Sequence, residues 1–292
     1  MRDDLILLTG ITGFIARRIA LDLLLAGYRV RGSVRSDKGI APLRQGLAAH
    51  LPDPALLDRL SFVTLDLTAD QGWPEALAGA AALIHTASPF PLAQPRDAQA
   101  LIRPAVDGTL RALCAALAAG VTRVVLTSSV EAVIHGAQGT ITEANWSDLS
   151  APTVSAYGKS KTLAERAAWD FVAAHPAMRL TVINPGLVLG TPLDSVTASS
   201  VSVVARFLAG RDPAVPDFAR PSWTLPMSRP CMSAHSTVPR PSASATSPPT
   251  APCRCPSLRP CSRPPTPPAA SPPAARRARS CASSRSSTPQ SG

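Results

Sequence analysis

Apolar positions through residues 5–190 fall into two alternating patterns. Short, nearly continuous runs of Val, Ile and Leu occupy 5–9, 29–34, 61–65, 82–86, 123–128 and 180–184, as expected of parallel strands covered on both faces. Longer stretches with apolar residues at helical spacing separate them. Residues 14–26 stop at Gly27 and residues 104–119 stop at Gly120, each a plausible helix-ending glycine, and 155–174 form a further helix. Strand alternating with helix predicts an α/β fold built on a doubly wound parallel sheet, with ligands beyond the carboxyl ends of the strands.

That pattern stops at about residue 218. Residues 219–292 contain 17 Pro and 10 Arg, with no Lys, Asp, Glu, Ile or Phe. Proline removes backbone donors, and too few large apolar residues remain to offset chain entropy, so this stretch is expected to be a disordered basic tail. The formal charge of +10 belongs entirely to it, because all 19 Asp and Glu lie before it and match the 19 Lys and Arg there. The front part therefore needs no polyanionic partner, and a nucleic-acid role is not expected. Five of the six cysteines also fall in the tail; Cys253-Arg-Cys255 lacks the spacing of common zinc sites, so no metal is expected. Met1 runs almost directly into the first strand, which leaves no room for a signal peptide, and no apolar stretch has membrane-spanning length. A soluble, cytoplasmic setting is the expectation.

Candidate chemistry lies at the strand ends. Thr9-Gly10-x-x-Gly13-x-x-Ala16 follows a strand and opens a helix, the context in which a glycine turn brings a dinucleotide pyrophosphate to a helix amino end. The second strand ends with Arg31 and Arg35 where an NAD-preferring site would carry a carboxylate. Guanidinium forks suit a 2′-phosphate, so NADP is favoured over NAD. Tyr157 and Lys161, four apart on one helix, project from the same face, and Thr127-Ser128-Ser129 ends the fifth strand. A phenol is a poor acid–base at neutral pH, and a neighbouring ammonium is expected to lower its pKa. His85 reads as a packed strand residue, Lys159 as solvated, and Glu131 as more readily a surface carboxylate than a pocket one.

Together these motifs resemble the extended branch of the short-chain dehydrogenase/reductase superfamily. Val30-Arg-Gly-Ser-Val-Arg35, His85-Thr-Ala-Ser-Pro89 and Asn184-Pro-Gly-Leu-Val-Leu-Gly190 look like its dihydroflavonol-reductase, cinnamoyl-CoA-reductase and carbonyl-reductase group. The resemblance implies a Rossmann domain over 1–190, with the substrate lobe starting at 191–218. It implies cofactor contacts at Gly10, Gly13, Phe14, Ile15, Arg35, Asp66, Leu67, Thr86, Ala87, Ser88, Tyr157, Lys161, Pro185, Gly186, Leu187, Val188 and Ser200. Tyr157 would pass a proton to a carbonyl oxygen, Lys161 would hold the nicotinamide ribose, and Ser129 would orient the substrate oxygen, with Ser128 second for that role. The activity implied is NADP-dependent reduction of a small ketone or aldehyde. Sugar-nucleotide epimerase/dehydratase and hydroxysteroid dehydrogenase activities of the same superfamily are the alternatives.

The tail itself suggests a frame-shifted reading. Joining the third base of each codon to the first two of the next, with GC-rich codons, turns Trp223-Thr224 into Asp, Met227-Ser228 into Val, and Cys231-Met232 into His or Tyr. The outcome is similar to the Val-Asp-Val-x-Asp-Val-Ala-x-x-His-Val stretch of extended short-chain reductases. If so, the chain as written lacks much of its substrate lobe and is a catalytically impaired cofactor-binding protein.

Overall fold

The computed structural model describes residues 3–89, 97–196, 198–211 and 222–224. All lie within the first of two contact units, Met1–Ser262. Of the expected disordered tail, only residues 222–224 are described, and these form a short strand instead; the rest of 219–292 falls outside the described residues.

Six parallel strands form one sheet: β1 (Leu5–Thr9), β2 (Arg29–Val34), β3 (Leu60–Thr64), β4 (Ala80–His85), β5 (Arg123–Thr127) and β6 (Arg179–Ile183), in the order β3-β2-β1-β4-β5-β6. The order reverses between β1 and β4, which opens a crevice above their carboxyl ends. The central strands β1 and β4 are almost wholly apolar because both faces are covered, whereas β2 and β3 toward the sheet edge carry Arg29, Arg31, Ser33, Ser61 and Thr64. Ile6 and Leu8 of β1, Ala82 and Ile84 of β4 and Val125 of β5 pack on one side, against α1 (Phe14–Leu25) and α2 (Ile40–Ala48). Leu7, Leu83, Val124 and Leu126 pack on the other, against α3 (Trp73–Leu77), α4 (Gln99–Ala118) and α5 (Ala156–Ala174).

Helix ends follow their glycines. Gly27 takes φ 81° after α1, and the Tyr28 amide reaches back to the Leu23 carbonyl at 3.0 Å. Helix α4 begins five residues before Pro104, so the proline lies inside the helix rather than at its start. The expectation erred because Pro so often marks a helix start, while the Leu101, Ile102 and Ala105 face is buried regardless. Past β6, β7 (Leu187–Leu189) pairs in parallel with β8 (Ser222–Thr224), and α6 (Ser199–Leu208) precedes β8. No helix among the described residues is long and apolar enough to cross a membrane.

Candidate active site

The turn after β1 is held open from below. Gly10 takes φ 65°, and a Cβ there would meet Ala87 Cα at 3.0 Å. Its amide donates to Ser33 Oγ at 3.0 Å. The Thr9 hydroxyl accepts from the Thr86 and Ala87 amides, both at 3.1 Å. Its own proton is thereby directed to His85 Nδ1, 2.9 Å away, which places the ring proton on Nε2. Burial lowers the His85 pKa to about 3, and the Lys161 charge adds to the effect, so His85 is a neutral packing residue that pins β4 to the glycine turn. Helix α1 starts at Phe14 with Gly13 as its N-cap and no side chain on its first amides. Free amides at a helix amino end, behind a turn that excludes Cβ, fit a dinucleotide pyrophosphate.

This turn forms one wall of a cavity of about 650 Å³. Gly10, Gly13, Phe14 and Ile15 line it beside β1; Thr86 and Ser88 follow β4; Ser128 and Ser129 follow β5; Pro185, Gly186, Leu187 and Val188 follow β6. Tyr157 and Lys161 enter from α5, and Ser200 from α6, its hydroxyl donating to the Val188 carbonyl. Ala87 stands just behind, against Gly10. Three further expected contacts are not brought into this lining. Arg35 and Asp66 are exposed at the ends of β2 and β3, where Thr68 hydrogen bonds and, more weakly, the Arg35 charge lower the Asp66 pKa. Leu67 packs over Gly108. Arg31 points away from any phosphate: its Nη1 donates to the Glu75, Ala76 and Ala78 carbonyls at the end of α3.

Helix α5 is started by Ser155, whose hydroxyl accepts from the Gly158 amide at 3.0 Å. Lys161 Nζ donates to the Thr127 carbonyl at 3.3 Å and lies 5.9 Å from the Tyr157 ring centre. Burial pushes the Lys161 ammonium down to about 8, with Glu165 opposing. The Tyr157 phenol is not drawn down as expected but pushed up to about 12. Burial is the main cause; the Ser129 hydrogen bond opposes it and the Glu131 charge adds to it. Such a phenol stays protonated, the form needed to donate to a carbonyl oxygen.

The sequence reading misplaced one part of this surround and missed another. Glu131 is not a surface residue: it is 9% exposed, lines the cavity, and its Oε2 accepts from His135 Nε2 at 2.8 Å. The i,i+4 spacing of this pair was visible, and so was that of Lys161 and Glu165. Nothing in the sequence joins Arg17 to Asp194, yet this ion pair ties α1 to the loop before α6.

Comparison with known proteins agrees with this geometry. The profile of the NAD dependent epimerase/dehydratase family matches residues 6–221. An anthocyanidin reductase ((2S)-flavan-3-ol-forming) of Vitis vinifera is 34% identical over 213 residues, covering 70% of this chain and 61% of that protein. Cinnamoyl-CoA reductase 2 of Arabidopsis thaliana is 36% identical over 214 residues, with the same coverage. The chain thus spans about three fifths of the length of these curated relatives. Yeast methylglyoxal/isovaleraldehyde reductase complexed with NADPH superposes with a TM-score of 0.67 at 26% identity, over 78% of this chain and 72% of that one. A strand-end glycine turn, a Tyr–Lys helix face and a serine loop meeting in one crevice, within a family match over most of the chain, lead to one conclusion: this protein belongs to the NAD dependent epimerase/dehydratase family.

Proposed function

We propose that this chain is built as an NADP-dependent oxidoreductase that reduces a ketone or aldehyde carbonyl to an alcohol. The observation that carries it is the meeting of Ser129, Tyr157 and Lys161 with the Gly10–Gly13 turn in a single cavity. A bound nicotinamide dinucleotide would supply hydride. Gly10, Gly13 and the amino end of α1 would hold its pyrophosphate, and Arg35, beside Asp66, would receive a 2′-phosphate. Ser129 would hydrogen-bond the substrate oxygen, Tyr157 would give it a proton, and Lys161 would bind ribose hydroxyls. The relatives named as reductases, and the NADPH of the yeast enzyme, support this reading.

The test is cofactor consumption by the purified full chain against a panel of neutral aldehydes, ketones and CoA esters, with NADPH and NADH in parallel. NADPH oxidation dependent on one of these carbonyls is the expected result, weak in the chain as written and restored when the reading frame is corrected. Turnover of a sugar nucleotide without net cofactor consumption would replace the reading with an epimerase.

The tail qualifies the activity of this particular chain. Residues 219–292 are proposed to be an out-of-frame translation of the substrate lobe. Support comes from the loss of every acidic residue after 218 and from a family match that runs to residue 221. Sequencing the gene across codons 215–225 tests it: an extra or missing base is expected, and an intact frame in independent reads would overturn it.

A further inference from the structure

One buried charge at the site has no part in the reaction as described. Glu165, one turn after Lys161 on α5, is 6% exposed. Its Oε2 accepts from Asn184 Nδ2 at 2.7 Å and its Oε1 from Trp169 Nε1 at 3.3 Å. The same Asn184 nitrogen donates to the Ser129 carbonyl at 3.0 Å. A carboxylate on α5, an amide after β6 and the backbone of the serine loop after β5 therefore form one bracket.

We propose that Glu165 is a positioning residue for Lys161 and Ser129: its carboxylate keeps the buried lysine an ammonium and, through Asn184, fixes the serine loop against α5. This deepens the reductase reading, since it assumes that Lys161 serves the reaction.

The chemistry of the neighbours supports the charge. Burial pushes the Glu165 pKa up, and hydrogen bonding from Ser128, Asn184 and Trp169, together with the Lys161 charge, opposes it. The buried Ser128 hydroxyl faces it without good hydrogen-bond alignment, so the two nitrogen donors matter most. An indole N–H and an amide NH₂ can only donate, and donors on both oxygens select the anion. Lys161 faces the Thr127 carbonyl, the Tyr157 ring and neutral His85; Glu131, which lines the same cavity, is paired with His135. Among these groups, Glu165 is the one whose charge opposes the effect of burial on Lys161. Replacing it with a neutral isostere moves the ammonium-to-amine transition to lower pH.

The chain contains three lysines, Lys38, Lys159 and Lys161. Carbon-13 NMR of ε-labelled lysine in the full chain therefore follows Lys161 directly, with Lys161→Met giving the assignment. In Glu165→Gln the Lys161 transition is expected about one unit lower than in the wild type, a tenfold change in protonation equilibrium. Lys38 and Lys159 should not move, and Glu165→Asp, which keeps the charge, should restore most of the shift. Should the Gln variant not fold, Asn184→Ala is expected to move Lys161 in the same direction by weakening the hold on the carboxylate. An unmoved Lys161 signal in a folded Gln or Asn184→Ala variant overturns the proposal, and so does an equal shift in Glu165→Asp. In turnover, the alkaline limb of kcat/KM should fall by the same unit, giving about fivefold loss at pH 8, approaching about tenfold above pH 9, and less than twofold at pH 6. A uniform loss at every pH would mark a structural role only and overturn it. Absence of turnover even in the frame-corrected protein, with the NMR shift intact, would count against the reductase reading and leave the coupling standing.

Discussion

Helices α1 and α6 border the same cavity but are held there by different means. Eight of the twelve residues of α1 are buried, with Leu24 fully enclosed between helix and sheet. None of the ten residues of α6 is buried, and Leu208 is 85% exposed. The first helix is fixed by apolar packing on β1 and β2. The segment carrying the second is tied by polar contacts: Arg17 to Asp194, His50 Nε2 donating to the Leu193 carbonyl at 3.1 Å, and Ser200 to Val188. One wall of the cavity is thus preorganised by the core, and the other is positioned by a few hydrogen bonds. Segments with little buried apolar surface open at low free-energy cost, so the α6 wall is the part suited to adapt to a ligand.

The sharpest way to break this comparison is at the chemistry, which the proposal places on the rigid side. Tyr157→Phe removes one oxygen from a buried ring and should lower kcat by about 10²–10⁴-fold. Cofactor affinity, read by fluorescence titration, should stay near wild type; retained turnover would remove Tyr157 as the proton donor. Packing gives the next largest contrast. Leu24→Ala should cost about 2–5 kcal/mol in urea unfolding, whereas Leu208→Ala should stay within about 0.5 kcal/mol. Similar costs for both would mean that α6 is anchored as firmly as α1.

Arg35 tests the far end of the preorganised wall. Loss of a charge-assisted phosphate bond is worth about 1.5–3 kcal/mol, so Arg35→Ala should weaken NADPH binding roughly tenfold to a hundredfold and leave NADH nearly unchanged. Equal losses for both cofactors would reject the 2′-phosphate assignment. The smallest effect is on pH. Lys161 holds its proton up to about 8 when folded and to its ordinary value of 10.5 when exposed. Between about pH 8 and 10 the unfolded chain therefore binds more protons, and stability should rise with pH as reductase activity falls. Urea midpoints measured across that window should increase in the wild type and stay flatter in Lys161→Met.

Local pattern carried much of this architecture. Runs such as 5–9 and 123–128 were readable because parallel strands need apolar residues on both faces. Gly10 and Gly27 were readable because only a left-handed backbone serves those turns. Helices α2 and α3 were missed, being short and bounded by Gly or Pro rather than by long periodic faces. The strand after Leu60 was placed one residue late, an error that propensity alone cannot remove.

The sequence by itself determined which groups can act: a phenol and an ammonium one helical turn apart, a serine at a strand end, and a glycine turn before a helix. Tertiary structure decided their electrical state and their company. Whether Tyr157 is a phenol or a phenolate depends on burial and on Glu131, 26 residues away in sequence. Lys161 is balanced between desolvation and Glu165, and Glu165 is in turn held by Asn184 from another strand end. Arg31 and Arg35 look alike in sequence, but one caps α3 and the other stays exposed beside Asp66. Spacing along a chain fixes which side chains share a face. Desolvation and partner charge depend on what folds against that face, and those contacts join residues far apart in sequence.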